Sequence, residues 1–391
     1  MEDVVIIGAA RTAIGKFNGS LRDVPAPVLG SVAIRAAVER SGLMPSDIEE
    51  CLMGNVLSAS LGQNPARQAA IGAGLPVEIG STTINKVCGS GMKAVMLAAN
   101  AIKAGEYQVI VAGGMENMNA APYLLPQARF GYRLGDGKAI DHMVRDGLWD
   151  AFTDVHMGMT AETVAERFHV TREQADLLAY ESHVKAHRAQ SEGRFDREIA
   201  PVMVKGKKGE TVFDKDEGIR PDTTPEVLAK LSPAFKKDGI VTAGNASQLS
   251  DGAAALVVCS RRYAEAKGIG PMAEIVGYAT GGTRPEWIME APIPTTRRLL
   301  DRLGMDIGDI DLFEHNEAFA TASVAVRSEL GVPEDRFNVN GGAVALGHPI
   351  GCSGARVLTS LVYALKDRGK RTGLATLCLG GGNAVSMVVR A

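Results

Sequence analysis

The chain has 391 residues, of which 46 % are hydrophobic and 45 are glycine, and its 42 lysines and arginines against 45 aspartates and glutamates leave a net charge of −3. Domains usually have about 100–200 residues, so this length predicts two or three core-forming units, and the apolar content excludes a largely disordered chain. The near balance of charge argues against nucleic acid as a partner, and no apolar run approaches the ~18–20 residues of a membrane span.

The chain begins with Met1-Glu2-Asp3, which is followed by the apolar run 4–7 (VVII). This start lacks the basic region and cleavage site of a signal peptide, so we expect a mature, cytoplasmic protein. The residues after the run do not complete G-x-G-x-x-G, which argues against a dinucleotide-binding fold. The five cysteines form no C-x-x-C pair, and a scattered set of this kind is typical of free thiols in a reducing compartment.

An internal repeat organises the chain. A helical pattern ends at Gly42 and again at Gly304, 262 residues later, and a strand pattern opens near Asp47 and near Asp309, again 262 residues apart. Because one offset holds for several features, we interpret the repeat as a duplication.

Both copies continue with the same order of elements. In the first, a helix begins near Gly91, ends at Gly105 and is followed by the buried strand pattern 109–114; in the second, a helix ends at Gly369 and is followed by the strand pattern 374–379. Alternating strands and helices of this kind predict an α/β layer with a largely parallel sheet in each copy.

An insertion of different composition, roughly 115–243, separates the copies. Thr171-x-x-Gln174 predicts a capping box that opens a helix through about residue 190, and 198–204 has a strand pattern. The basic segment 205–208 predicts a solvated turn, with a basic rim that meets a phosphorylated ligand as the alternative. Apolar strand patterns resume after the insertion, at 251–259 and 272–277.

The insertion also holds His183 and His187, an i, i+4 pair on the predicted helix. Such a pair can ligate a metal, but no third ligand is evident and the glutamate of H-E-x-x-H is missing. We therefore predict a solvated helix face.

Cys88 is the candidate nucleophile. It lies in the segment 85–91 (NKVCGSG), between a strand pattern and the start of a helix. A thiol at a helix N-terminus meets free N–H groups and the positive end of the helix dipole, which predicts a lowered pKa and a reactive thiolate. The alternative is a buried structural cysteine.

The second copy supplies candidate partners. His348, in NGGAVALGHPIGCSG, is placed by the duplication opposite Cys88 as a general base, or it is part of a simple His-Pro turn. Cys378 ends a strand before three glycines whose N–H groups could form an oxyanion hole, or it is a core cysteine. Asn316, in HNEAFA, is either a site residue or a helix N-cap.

Four motifs together resemble the thiolase family: VCGSG around Cys88, NEAFA from Asn316, GGAVALGHPIG around His348 and CLGGG from Cys378. They occur in the family's order, and the resemblance spans essentially the whole chain. It implies the duplicated, five-layered αβαβα thiolase fold with two similar halves and an inserted loop domain. The implied division is a first half at 1–117 plus 244–270, a loop domain at 118–243 that binds coenzyme A and mediates tetramerisation, and a second half at 271–391.

The resemblance also implies a role for each site residue. Cys88 would accept the acyl group, His348 would activate it, and Cys378 would carry the proton to and from the acetyl α-carbon. Asn316 would hold a water that, with His348, stabilises the thioester enolate. The N–H groups of Cys88 and Gly380 would hold the other oxyanion.

The resemblance is strongest to short-chain thiolases, which reversibly condense two acetyl-CoA into acetoacetyl-CoA and CoA by a ping-pong mechanism, without a metal or a permanently bound cofactor. Met157 would narrow the acyl pocket. Homotetramers are usual among these members. The resemblance places the following residues at the coenzyme A site: Leu148, His156, Met157, Arg220, Phe235, Ala243, Ser247, Ala318 and Phe319.

Three alternatives stay open. Gln248 and Ser250 look like residues of degradative 3-ketoacyl-CoA thiolases, which have a broader chain-length range. A decarboxylative condensing enzyme would share the Cys/His/Asn chemistry but would not need Cys378 as a base. A catalytically inactive thiolase-like binding protein is disfavoured by the intact Cys88 and His348.

Overall fold

The computed structural model describes residues 2–206 and 209–391; Lys207 and Lys208, part of the predicted basic turn, lie outside the described residues, as does Met1. The strands are β1 (Val4–Thr12), β2 (Gly15–Lys16), β3 (Glu50–Gly54), β4 (Gly80–Ile84), β5 (Val109–Asn117), β6 (Tyr123–Leu124), β7 (Ile140–Asp141), β8 (Trp149–Asp150), β9 (Val155–His156), β10 (Ile199–Ala200), β11 (Val202–Gly206), β12 (Gly209–Phe213), β13 (Ser250–Ser260), β14 (Ala273–Gly282), β15 (Leu312–His315), β16 (Thr372–Leu379) and β17 (Asn383–Arg390). The helices are α1 (Ala26–Ser41), α2 (Pro65–Gly72), α3 (Ser90–Ala104), α4 (Met157–Arg167), α5 (Arg172–Ser191), α6 (Pro225–Ala229), α7 (Arg261–Ala266), α8 (Pro292–Leu303), α9 (Ala320–Leu330), α10 (Ala343–Leu346) and α11 (Ile350–Asp367).

These elements stack in five layers. Helices α1 and α2 pack on each other and on strands β1, β13 and β3. Helices α3 and α11 pack on each other in the middle, between β5 and β13 on one side and β16 on the other, and helices α8 and α9 cover the far side. The αβαβα order expected from the sequence is therefore present.

The main strands follow the order β15-β16-β17-β14-β1-β13-β5-β3-β4. Strands β1 and β14 join the two parts of this path through two residue pairs, Val5 with Glu274 and Ile6 with Ala273. Strand β13, which follows the insertion, returns to pair with β1 and β5 of the first copy.

The prediction of a largely parallel sheet is wrong. Strand β3 pairs in parallel with β4 and β5, and β15 with β16, but the other neighbours along the path are antiparallel. The apolar runs identify buried strands but carry no information on direction. In the second half β17 returns directly after β16 without a crossover helix, and such a strand pairs antiparallel. In the first half the long insertion brings β13 back antiparallel to β5.

Helix ends follow the local chemistry that the sequence indicates. Gly42, Gly105 and Gly304 end their helices with φ of 75°, 80° and 64°, the left-handed region that favours glycine. Helix α5 opens with the predicted capping box, in which Thr171 and Gln174 each bond the other's backbone N–H. The strand pattern 198–204 is divided into β10 and β11, because the proline between them has no N–H to donate to a ladder.

Two glycines bring the central helices together near their first turns. A Cβ added at Gly91 of α3 would lie 2.7 Å from the backbone nitrogen of Ala355 in α11, and one at Gly354 would lie 2.4 Å from the backbone nitrogen of Met92. Both distances are shorter than any real Cβ contact, so each helix needs a glycine at the crossing. The segments that precede the two helices are therefore held side by side.

Candidate active site

A cavity of about 470 Å³ opens where α3 and α11 begin. Its lining is mainly apolar and includes all but one of the residues predicted for the site, namely Cys88, Leu148, His156, Met157, Arg220, Phe235, Ala243, Ser247, Ala318, Phe319, His348, Cys378 and Gly380. The remaining predicted residue, Asn316, is fully buried and lies against the ring of His348. The structure thus brings the candidate residues of both copies and of the insertion to one place.

Cys88 lies on a strained turn just before α3. Val87 has a φ of 49°, a conformation that costs a β-branched residue free energy, and Ser90 Oγ bonds across the turn to the Val87 carbonyl at 2.6 Å and to the Lys86 N–H at 2.8 Å. The side chain of Cys88 is half-buried and lines the cavity. The turn therefore presents the thiol to the cavity.

The predicted lowering of the Cys88 pKa is wrong. Burial, followed by the nearby Cys378 thiol, raises the pKa of Cys88 well above its usual range, although hydrogen bonds from the backbone N–H groups of Gly380 and Cys88 itself act in the opposite direction. Desolvation of the thiolate in this apolar cavity outweighs the favourable N–H groups. The resting group is the thiol, so its reaction requires a base.

His348 has a defined position and tautomer. Its backbone N–H donates to the Gln248 carbonyl at 3.1 Å and to Ser250 Oγ at 3.2 Å, and its Nδ1 lies 2.6 Å from Ser353 Oγ. The Ser353 hydroxyl donates its proton to the Pro349 carbonyl at 2.9 Å, so its oxygen accepts from His348 Nδ1–H. Nε2 is then the unprotonated nitrogen, as a general base requires.

The surroundings of His348 keep its ring neutral. Burial, and then the positive charge of Arg356, lower the pKa of His348 to about 3. A neutral imidazole beside a protonated thiol is the starting state for proton transfer during nucleophilic attack. The alternative of a simple His-Pro turn does not account for this buried, hydrogen-bonded side chain.

Asn316 is not a helix N-cap, because α9 begins at Ala320 and Phe319 occupies its cap position. Asn316 is 0 % exposed. Its Nδ2 lies 3.5 Å from Nδ1 and 3.4 Å from Nε2 of His348, and its Oδ1 lies 3.5 Å from Nη2 of Arg356. The amide is therefore placed between the imidazole and a buried guanidinium.

Cys378 is the penultimate residue of β16 and lines the cavity. Its Sγ donates to the thioether sulfur of Met289 at 3.6 Å, a contact that sequence reasoning missed, and burial raises the pKa of Cys378 to about 12. The Gly380 N–H that acts on Cys88 lies two residues further along. Two thiols, a neutral imidazole and converging backbone N–H groups form a site suited to acyl transfer through a covalent thioester.

Glu116, at the end of β5, supports this site and was also missed. Its buried carboxylate accepts hydrogen bonds from the N–H groups of Val56, Leu57 and Gly351 at 2.8–3.1 Å and from the side-chain amide of Asn55 at 2.7 Å. Burial raises its pKa to about 7. Through Gly351, Glu116 ties the first turn of α11, just after His348, to the first half of the chain. The signal in the sequence that could have identified Glu116 is an acidic residue within an apolar strand pattern.

Aromatic rings form one wall of the cavity beside Met157, the first residue of α4. His156 caps this helix by accepting the Gly158 N–H at 3.0 Å, and its ring stacks on Phe235 with centroids 4.8 Å apart and planes at 20°. Phe235 in turn contacts Phe319 edge to face at 6.2 Å. A Cβ at Gly158 would lie 2.3 Å from the Phe235 ring, so this position requires glycine.

The prediction of a solvated face is right for His187 and wrong for His183. His187 is exposed, but His183 is 3 % exposed, and its Nδ1 accepts the backbone N–H of Arg220 at 3.1 Å. Burial lowers the pKa of His183 to about 4. His183 therefore positions Arg220, whose exposed side chain lies at the cavity mouth together with the exposed side chain of Lys16.

Gln248 connects the insertion to the loop of His348. Its side-chain amide donates to the backbone carbonyls of Gly218, Val344 and Ala345 at 2.8, 3.2 and 3.3 Å. The backbone carbonyl of Gln248 accepts the backbone N–H of His348. A Cβ at Gly218 would lie 2.8 Å from the Ala345 oxygen, so only glycine allows this approach.

Within residues 2–206 and 209–391, histidine, cysteine, aspartate and glutamate side chains form no group of three or more that could hold a metal ion. The same residues contain no helix with the length and apolar content needed to cross a membrane.

Comparisons with known proteins agree with this architecture. Residues 4–262 match the model of the thiolase N-terminal domain, and residues 269–391 match that of the thiolase C-terminal domain. Acetyl-CoA acetyltransferases of Pseudomonas aeruginosa and Escherichia coli are 53 % and 52 % identical over 390 residues, which is 100 % of this chain and 99 % of each relative. The crystal structure of the Bacillus anthracis acetyl-CoA acetyltransferase superposes with a TM-score of 0.98 at 44 % identity and covers 100 % of this chain and 99 % of that one. The predicted fold class is confirmed.

Proposed function

The chain belongs to the thiolase family, and we propose that it is an acetyl-CoA C-acetyltransferase that reversibly condenses two acetyl-CoA into acetoacetyl-CoA and CoA. The observation that carries the proposal is the content of one cavity: the Cys88 and Cys378 thiols, the neutral imidazole of His348 with its unprotonated Nε2, and the N–H groups of Cys88 and Gly380. The names of relatives that match over the full chain support it.

In the first half-reaction His348 Nε2 takes the proton of Cys88, and the thiolate attacks the carbonyl carbon of acetyl-CoA. The tetrahedral oxyanion is held by the N–H groups of Cys88 and Gly380. Cleavage of the carbon–sulfur bond leaves acetyl-Cys88, and the departing CoA sulfur receives the proton from His348. The raised pKa of Cys88 makes this base necessary, and the lowered pKa of His348 makes the proton easy to release.

In the second half-reaction Cys378 gives its proton to His348 and, as a thiolate, removes an α-proton from a second acetyl-CoA. The enolate oxygen is stabilised by the protonated His348 and by a water that the Asn316 amide holds. The enolate carbon attacks the acetyl-Cys88 carbonyl, a carbon–carbon bond forms, and the bond to sulfur breaks. Cys88 regains its proton from His348, so both cysteines return to thiols.

The rest of the cavity suits coenzyme A, which the proposed reaction uses as a substrate. An apolar cleft lined by Leu148, Phe235 and Phe319 takes the pantetheine arm. At the mouth the exposed Arg220 lies near the adenine, and the exposed cation Lys16 faces the phosphates. The further cleft residues are Ala243, Ser247, Ala318, His156 and Met157.

The test is detection of acetyl-Cys88. Incubation with acetyl-CoA followed by mass spectrometry of peptides should give a +42 Da adduct on Cys88, about the mass of one acetyl group. Cys88→Ala should abolish both the adduct and thiolysis of acetoacetyl-CoA, and Cys51→Ala, which removes a buried thiol in β3 away from the cavity, is the control. Absence of an adduct in the wild type would exclude this mechanism.

We also propose short-chain specificity, since Met157 and Met289 both line the cavity. Thiolysis rates should fall steeply from four-carbon to longer 3-ketoacyl-CoA substrates. Undiminished rates on long chains would instead favour the broader, degradative thiolase.

The proposed division is a first half at 1–117 plus 244–270, a loop domain at 118–243 and a second half at 271–391. We propose a cytoplasmic homotetramer assembled through the loop domain, because large apolar side chains are exposed within it, among them Tyr123, Leu125, Phe130 and Leu134. Light scattering after size exclusion should give four chains, and a dimer or monomer would contradict this.

A further inference from the structure

Arg356 is a buried cation beside the proposed enolate site. It lies on α11 and is 0 % exposed, and among the described residues its Nε and Nη1 have no hydrogen-bond partner. Its Nη2 faces Oδ1 of Asn316 at 3.5 Å. Burying a guanidinium without full pairing is costly, so its retention points to a role beyond packing.

The charges around Arg356 do not neutralise it by direct contact. Glu314 on β15 and Glu198 are the nearby carboxylates and Arg11 is the nearby cation, but within the described parts of the chain none of them forms a salt bridge with Arg356. Glu198 is instead bonded to Arg11 at 2.6 Å. The hydrogen-bond contact of the Arg356 guanidinium among the described residues is therefore that of Nη2 with the Asn316 amide.

The position of Arg356 decides how the Asn316 amide is oriented. An amide can be turned by 180° at little cost unless its neighbours distinguish oxygen from nitrogen. A guanidinium has only hydrogen-bond donors, so it favours the Oδ1 end of the amide as its neighbour and disfavours the Nδ2 end. The Nδ2 end then faces the His348 ring, 3.4 Å from Nε2.

We propose that Arg356 is a positioning residue for enolate formation, holding Oδ1 of Asn316 so that the amide N–H groups face the water that, with His348, stabilises the enolate oxygen. This inference rests on the proposed function and deepens it. Polarisation of the amide by the guanidinium strengthens those N–H donors as negative charge develops on the enolate oxygen. The oxyanion of the first half-reaction is held by the N–H groups of Cys88 and Gly380 instead. Arg356 reaches that step only through its charge near His348, a smaller influence on that ring than burial and one that both half-reactions share.

The experiment separates the two half-reactions. Acetylation of Cys88 by acetyl-CoA is followed by rapid quench and mass spectrometry, and enolate formation is followed as exchange of the acetyl methyl protons with deuterium in D2O. Arg356→Met should slow exchange about 10- to 100-fold, an effect no larger than that of removing an oxyanion donor that contacts the substrate directly. Acetylation should stay within about threefold of the wild-type rate. Arg356→Lys, which keeps the charge but loses the planar fork, should recover part of the exchange.

A double variant built on Asn316→Ala tests whether Arg356 acts through Asn316. If Arg356 acts through Asn316, adding Arg356→Met to Asn316→Ala should slow exchange no further. Arg368→Met is the matched control, because Arg368 caps the same helix but bonds Val339 and Asn340. Its exchange rate should stay within about twofold of the wild type.

Three outcomes would overturn the inference: unchanged exchange in Arg356→Met, a parallel fall of both half-reactions, or multiplicative losses in the double variant. If Arg356→Met does not fold, Arg356→Lys is judged alone, and a selective loss of exchange is still required. A wild type that forms no acetyl-Cys88 refutes the proposed function itself. A wild type that acetylates and exchanges normally, with an equally active Arg356→Met, refutes only the role of Arg356.

Discussion

Ser353→Ala tests whether the tautomer of His348 is set from α11. In the wild type, Ser353 Oγ accepts His348 Nδ1–H at 2.6 Å while donating to the Pro349 carbonyl. The alanine variant leaves a buried N–H without its acceptor, which costs about 1–3 kcal/mol. The ring can escape this cost only by rotating or by moving its proton to Nε2, and either change removes the base from Cys88.

If that free energy appears in the barrier to acetylation, the rate falls roughly 5- to 150-fold. Rapid-quench measurement of acetyl-Cys88 formation tests this directly. Ser360→Ala is the matched control, because Ser360 is also a buried hydroxyl of α11 but bonds Glu198 rather than His348. The reasoning is refuted if Ser353→Ala acetylates at the wild-type rate, or if Ser360→Ala loses as much.

Three further changes probe the framework around the site. Gly91→Ala places a Cβ 2.7 Å from a backbone nitrogen of α11, so we expect at least tenfold lower thiolysis and a lower melting temperature; wild-type values for both would contradict the close helix crossing. Glu116→Gln tests the pH dependence of stability. The pKa of Glu116 is about 7 in the folded protein, above its ordinary value of 4.5, so between these two pH values the folded state keeps a proton that the unfolded chain has released. The free energy of unfolding therefore falls as the pH rises from about 4.5 to about 7. Between pH 5 and 7 the wild-type free energy of unfolding should fall by about 2 kcal/mol relative to Glu116→Gln, and urea titrations showing a constant difference would contradict this. Gln248→Ala removes the amide that bonds the Gly218 carbonyl, so the KM for CoA in thiolysis should rise about 3- to 10-fold with a smaller change in kcat, and an unchanged KM would argue against this connection.

The features that could be predicted from the sequence depend on local chemistry or on the repeat. Gly42, Gly105 and Gly304 end helices because glycine adopts positive φ, and this holds wherever the helices pack. The capping box at Thr171 is equally local. The duplication placed His348 and Cys88 in corresponding loops, and the structure brings both to one cavity.

The features that could not be predicted depend on which distant groups meet. The donors to Glu116 come from the loop 55–57 and from Gly351 of α11, which lie far apart in the chain, and Arg356 meets Asn316 across 40 residues of chain. His183 looked solvated because its helix is largely polar, but its position relative to the rest of the molecule is set by tertiary packing. The direction of the Cys88 pKa was mispredicted because the helix start was visible in the sequence, whereas the desolvation that outweighs it was not.

The duplicated helices explain why nucleophile and base occur together. Cys88 stands two residues before the start of α3, and His348 stands two residues before the start of α11. Because the helices cross near their first turns, both positive dipole ends lie beside one cavity. Such a field disfavours an imidazolium at rest and favours the thiolate, oxyanion and enolate that form during the reaction. Burial keeps the resting thiols protonated, so anionic charge develops only when His348 accepts a proton and preoriented N–H groups receive it.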